Sequence, residues 1–136
     1  REAVLTKGVG VGGGALSGRI VFSLEDIESF RAKEPETPLI LVRFDTVPDD
    51  LREISAADGL LTSRGGATSH ASIVAHQLRK ACVVGCSKLI VHEKEGYAVI
   101  NGQNIKCGDF LSIDGQNGFV YEGRHDINSK EGGISS

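Results

Sequence analysis

Residues 39–44 (LILVRF) constrain the fold of this chain most. The run is apolar at every position but Arg43. A near-continuous apolar stretch of that length suits a strand buried on both faces, as in the interior of a covered sheet. Around it, residues 25–33 (EDIESFRAK) read as a short helix. Residues 48–57 (PDDLREISAA) read as another, with Pro48 in the first turn, Asp49 and Asp50 behind it, and Leu51 and Ile54 at helical spacing. Residues 19–24 and 59–62 are further strands, and residues 34–38 (EPETP) are a loop. Buried strands interleaved with helices predict a mixed α/β domain.

Glycine fills 18 of 136 positions, about twice the usual share of ~7%. The glycines gather at turns. Residues 8–18 (GVGVGGGALSG) form a Gly-rich lead-in, and residues 96–123 alternate short strands (YAVIN, DFLSID, GFVYEG) with Gly turns. Residues 81–85 and 89–91 are strand-like. Aromatic residues are only 5% and Trp is absent, so the core must be aliphatic. The length suits one domain, expected over residues 1–123, with a polar, Gly/Ser-rich flexible tail over residues 124–136.

A net charge of −3 with no long basic run argues against nucleic-acid binding, which draws on a basic patch. No apolar stretch approaches the ~20 residues of a membrane helix, and the opening REAVLTKG lacks the apolar region of a secretion signal. Cys82, Cys86 and Cys107 are odd in number, as reduced cytosolic thiols are. A cytoplasmic, soluble protein is expected. Cys82 and Cys86 flank VVG and read as core thiols rather than as half of a zinc site, which wants four close ligands. The chain opens on Arg1 rather than Met, as a piece of a longer protein would.

The densest local signal is residues 63–70 (SRGGATSH), a polar turn between an apolar strand and an amphipathic helix expected over residues 69–80. Ala71, Val74, Ala75 and Leu78 form the apolar stripe of that helix. Gly65 and Gly66 let backbone approach a ligand. The helix aims its free N–H groups and positive dipole end at the turn, a natural anion site. Thr68 and Ser69 are N-cap residues that also bond phosphate oxygens, and Arg64 adds a charge matched to phosphate. His70 stands in the first turn. A free imidazole is mostly unprotonated at neutral pH and is a competent nucleophile. The plainer reading of a lone His at a helix start is a surface or capping residue.

Residues 65–75 (GGATSHASIVA) resemble the phosphohistidine signature of the phosphoenolpyruvate-utilising enzymes, which include pyruvate phosphate dikinase, phosphoenolpyruvate synthase, the first enzyme of the sugar phosphotransferase system and rifampicin phosphotransferase. LVRFDTVPDDL (41–51), DGLLTSRGG (58–66), KACVVGC (80–86) and GDFLSIDGQNGFVYEG (108–123) resemble the flanks of the same domain. The resemblance spans roughly residues 5–123. It implies a swivelling β/β/α phosphohistidine domain, with His70 carrying the phosphoryl group and Arg64, Gly65, Gly66, Thr68 and Ser69 around it. It also implies two partners in the same enzyme. One is an ATP-grasp domain that passes on the β-phosphoryl of ATP; the other is a TIM barrel that interconverts pyruvate and phosphoenolpyruvate. Mg2+ is held by those partners, and no metal by this chain. Ser69, and Cys86 after VVG, favour the dikinase type over the synthase and the sugar-system enzyme. In dikinases the threonine two residues before the histidine is a regulatory phosphorylation site, the position of Thr68.

The chain departs from the family at His76, where Arg or Gly is usual, at Arg79, where dikinases often have Gly, and at Gly12-Gly13-Gly14, where the family has Ser-Pro-Gly. Two other readings remain open: a different phosphotransferase of the family, such as the synthase, or a non-catalytic binding module of the same fold. G-x-G-x-x-G at residues 8–13 is expected to be a decoy, since no clear strand precedes it and a strand follows. His70 and His76 should face different ways on their helix. His92 and His125 are expected to be exposed, and Asp58, Asp109 and Asp114 to be turn residues.

Overall fold

The computed structural model describes residues 4–66 and 68–123. The tail expected at residues 124–136, His125 and Ala67 therefore lie outside the described residues.

The elements run β1 (Val4–Lys7), β2 (Val9–Gly12), β3 (Ala15–Val21), α1 (Leu24–Lys33), β4 (Leu39–Arg43), a 3-10 turn (Pro48–Asp50), α2 (Leu51–Ala56), β5 (Gly59–Thr62), α3 (His70–Gln77), β6 (Ala81–Val84), β7 (Leu89–His92), β8 (Tyr97–Ile100), β9 (Gln103–Lys106), β10 (Phe110–Asp114) and β11 (Phe119–Glu122). Ser23 ends β3's extension and caps α1: its hydroxyl accepts from Asp26 N, while Asp26 Oδ2 accepts from Phe22 N.

Eight strands form one sheet in the order β1-β11-β10-β3-β4-β5-β6-β2, and β7-β8-β9 form a second, smaller sheet. Strands β3, β4, β5 and β6 are parallel neighbours in sequence order, joined by α1, α2 and α3. Right-handed crossovers that all step the same way put all three helices on one face. Leu39 and Leu41 accordingly pack with Ile27, Ile54, Ala71 and Ala75 beneath the helices. Ile40 and Val42 point the other way, into a core shared with Leu89, Ala98, Ile100 and Ile105 of the small sheet. All five residues of β4 are buried, so the run that reads as doubly covered lies between a helical layer and a second sheet.

The large sheet is rolled. Strand β1 pairs with β11 at one edge and β2 with β6 at the other, yet only Gly8 separates β1 from β2. Laid flat, eight strands at ~4.8 Å spacing would hold those edges about 34 Å apart. One residue cannot bridge that, so the edges meet. Gly8 N donates to Gly118 O at 2.8 Å, and Gly115 N to Gly14 O at 2.8 Å.

Several expectations are corrected. A strand, β1, does precede the Gly-rich motif, and the motif is itself largely strand β2; no helix follows it. Helix α3 ends at Gln77 rather than at residue 80, because Arg79 turns left-handed at φ 58°. Leu78 is consequently exposed and leaves the stripe. Gly13 at φ 83° holds a backbone conformation closed to proline, so this lead-in takes a turn that Ser-Pro-Gly could not. His92 is partly buried and stacks on Tyr97 with centroids 4.4 Å apart. Asp109, before β10, and Asp114, the last residue of β10, accept from backbone N–H groups of the adjoining turns. Asp58 accepts from Leu39 N and pairs with Arg31. Cys82 and Cys86 are buried core thiols. No helix among the described residues is long and apolar enough to cross a membrane.

Candidate functional site

Parallel pairing of β4 with β5 places Arg43 beside Thr62, so the loops that follow leave the sheet side by side. The carboxyl ends of parallel strands are where such sheets bind ligands. The loops stay joined beyond the strands: Ser63 N donates to Arg43 O at 3.2 Å and Arg64 N to Phe44 O at 2.9 Å. Arg64 O is held by Thr62 Oγ1 at 2.6 Å and by Gly85 N at 3.3 Å. The Arg64 side chain is exposed, its guanidinium 5.8 Å from the centre of the Phe44 ring.

The two glycines of the turn have different reasons to be there. Gly65 has φ 112°, and a Cβ on it would meet Ser69 Oγ at 2.8 Å; the fold itself requires glycine. A Cβ on Gly66 would meet nothing within 4 Å, so its bareness leaves an open approach to the backbone. Gly66 O is the anchor of the turn. It accepts from Ser69 N at 3.1 Å, from Ser69 Oγ at 2.9 Å and from Ser72 Oγ. Ser69 caps α3, its hydroxyl accepting from Ser72 N at 3.3 Å. Ser69 is thus committed to shaping the turn, and Thr68 beside it is exposed.

His70 opens α3 and is half-buried. Its Nδ1 lies 2.9 Å from Thr46 Oγ1. Thr46, in the loop after β4, is 5% exposed, so that contact forms away from bulk water and fixes the ring. With Nδ1 engaged, Nε2 is the nitrogen left for chemistry. The backbone N–H groups of His70 and Ala71, in the first helical turn, have no acceptor within the helix. His76 is exposed at the last turn and lines a groove with Gly10 and Val11, about 9 Å along the axis from His70. The unusual residue therefore lies at the far end of the helix from the turn.

The structure places Arg64, Gly65, Gly66, Thr68, Ser69 and His70 along one turn between β5 and the start of α3. Sequence reading misses Thr46 and Ser72. Thr46 lies within a segment quoted for its family likeness, but only the β4–β5 register shows that it reaches a histidine 24 positions away. Ser72 is a polar residue on the apolar face of α3, 1% exposed; a buried hydroxyl there signals a partner.

Among curated proteins, the chain is 40% identical over 124 residues to "Pyruvate, phosphate dikinase 1, chloroplastic" of Arabidopsis thaliana, covering 91% of this chain and 13% of that one. It is 37% identical over 122 residues to "Pyruvate, phosphate dikinase" of Clostridium symbiosum, covering 90% and 14%. The chain thus spans about one-seventh of the length of these relatives. A solution structure of the Enzyme I (nEIt) protein overlaps 62% of this chain and 30% of that one at 28% identity, with a TM-score of 0.44, too partial to extend the comparison. The family model described as "PEP-utilising enzyme, mobile domain" matches residues 35–118, from the loop before β4 to the turn after β10. With that match over most of the described chain, and the dikinase likeness beyond it, the chain belongs to the mobile-domain family of the phosphoenolpyruvate-utilising enzymes.

Proposed function

We propose that this domain carries a phosphoryl group on His70 Nε2, as the mobile part of a pyruvate phosphate dikinase-like enzyme. The observation that carries the reading is the 2.9 Å contact between Thr46 Oγ1 and His70 Nδ1. When Nδ1–H donates to the threonine hydroxyl, Nε2 holds the ring's lone pair. In-line attack forms the Nε2–P bond as a P–O bond of the donor breaks, the leaving oxygen keeping the electron pair. Delivery to the acceptor is the reverse displacement. The N–H groups of His70 and Ala71 and the positive end of α3 stabilise the transferred charge. Gly66 leaves room for the phosphoryl oxygens, and the exposed Arg64 adds a mobile cation. Ser69 acts indirectly, by holding the turn.

Donor and acceptor belong to parts of the enzyme outside this chain. The dikinase likeness supports an ATP-grasp domain handing over the β-phosphoryl of ATP, and a TIM barrel exchanging it with pyruvate and phosphoenolpyruvate. Mg2+ neutralises phosphate charge in such reactions. The dikinase likeness is what supports placing Mg2+ in the partner domains. Thr68, exposed two residues before His70, is open to a regulatory kinase. A phosphate there would add about −1.5 to −2 charges beside the incoming phosphoryl and repel it.

The test is labelling of the full-length protein, with a His70→Ala control. Acid-labile, base-stable label from phosphoenolpyruvate and from the β position of ATP, absent in H70A, is expected. Label from γ-labelled ATP should appear in pyrophosphate when phosphate is supplied; its appearance in orthophosphate would indicate a synthase instead. No label from any donor in the folded protein would overturn the carrier reading in favour of a non-catalytic module.

A further inference from the structure

Thr46 has no element of its own. It sits in the loop between β4 and the 3-10 turn, yet it is 5% exposed and meets His70. Something must hold that loop, and a linked set of charged groups does. Asp50 Oδ2 accepts from the backbone N of Val47, the residue after Thr46, at 2.9 Å, while Asp50 N donates to Val47 O at 2.8 Å. The other oxygen, Asp50 Oδ1, faces Arg43 Nη1 at 3.7 Å. The same Nη1 donates to Glu93 Oε2, on the turn between β7 and β8. Arg43 O in turn accepts from Ser63 N of the site loop. The 3-10 turn and the turn of the small sheet thus converge on the Arg43 guanidinium, and the site loop is tied to the backbone carbonyl of the same residue.

Arg43 is a costly way to gain stability. It is 9% exposed, and its Nε finds no hydrogen-bond partner among the described residues. A buried ion pair is often no better for stability than well-packed apolar side chains, and a buried donor without a partner makes it worse. What such a pair supplies is direction: Asp50 can orient only one backbone N–H when its other oxygen is fixed.

We propose that Arg43 and Asp50, anchored by Glu93, are positioning residues that press Thr46 against His70 Nδ1 and so determine which ring nitrogen takes the phosphoryl group. This rests on the carrier reading for its biological meaning but concerns the presentation of the ring itself. Loosening the set frees Nδ1, and phosphorylation then divides between the two nitrogens.

The test uses the full-length protein and two probes. One is phosphoenolpyruvate. The other is phosphoramidate, a small reagent that phosphorylates imidazole nitrogen directly: the N–P bond to the ring forms, the P–N bond of the reagent breaks, and ammonia leaves. The isomer on His70 is read by 31P NMR and by mass spectrometry of the His70 peptide. Wild type should yield Nε2-phosphohistidine alone with either probe. Asp50→Asn keeps the size and one acceptor but loses the pull of Arg43. It should show an appreciable Nδ1 fraction with phosphoramidate and a labelling rate from phosphoenolpyruvate lower by about 10-fold. Arg43→Met should behave alike and Arg43→Lys should restore Nε2 selectivity, a rescue that a packing defect would not show. Glu93→Gln, on a half-exposed turn, perturbs the same set with the core intact and should move the isomer ratio the same way. Wild-type regiochemistry and rate in folded D50N and E93Q would overturn the proposal. Selective Nε2 modification by phosphoramidate without labelling by phosphoenolpyruvate would sink the carrier reading and leave this one standing.

Discussion

At the residue scale, the site is a histidine whose ring is held by a hydroxyl from another loop. Replacing Thr46 by Val keeps the volume and removes the partner of His70 Nδ1. Labelling of T46V from phosphoenolpyruvate should fall by about 10- to 100-fold, the usual result of a small misplacement of a reacting group, while far-UV circular dichroism stays that of wild type. His70 itself, and the glycines and hydroxyls before it, are legible in the sequence because the signals are local: a cap, a turn and a helix start within eight residues. Thr46 is not, because nothing near it in the chain marks its partner. The thiols carry a prediction of their own. Burial, together with neighbouring Cys86, pushes the Cys82 thiol up to about 12, and burial pushes Cys86 up to about 12, against an ordinary 9.0. Folded thiols then hold their protons where unfolded ones have lost them. The stabilisation is complete below pH about 9 and is lost as pH rises toward about 12. Urea midpoints should therefore decline from pH 9 to 11, with a shallower decline in Cys82→Ala than in wild type.

At the element scale, α3 stops early for a reason visible only in its backbone. Lys80 N donates to Ala75 O at 2.9 Å, closing the helix around Arg79 at φ 58°. A side chain in that conformation costs about 1–2 kcal/mol relative to glycine. Arg79→Gly should stabilise the folded state by about 1 kcal/mol, read as a higher melting temperature, with phosphohistidine formation unchanged. The sequence departure at this position thus has a measurable cost. Besides β1, two strands escape sequence reading for related reasons. In β9, with sequence QNIK, only Ile105 is buried, so the alternation is too weak to see. In β2, with sequence VGVG, glycine argues against a strand. Both are strands because a neighbour supplies the ladder, β8 for the first and β6 for the second.

At the scale of the whole molecule, the rolled sheet depends on backbones passing where no side chain fits. A Cβ on Gly115 would stand 2.0 Å from Gly12 O, and one on Gly118 2.3 Å from Gly8 O. Gly115→Ala should therefore destabilise the domain by about 1–3 kcal/mol, the cost of overpacking, and should lower the urea midpoint although the residue is far from the site in sequence. What the sequence by itself determined are the features that depend on near neighbours. They are the doubly covered strand β4, the sequence of βαβ units, the aliphatic core, and the turn that ends in His70. Their causes, apolar runs, caps and turn residues, act over a few positions and are written in order along the chain. What only the tertiary structure decided are the features that need two distant segments to meet: the closure of the sheet through Gly8, the glycine-rich strand β2, and the seat of Thr46 against His70. Those contacts form because parallel register and sheet curvature bring the segments together, and no local pattern of residue types records which segments will meet.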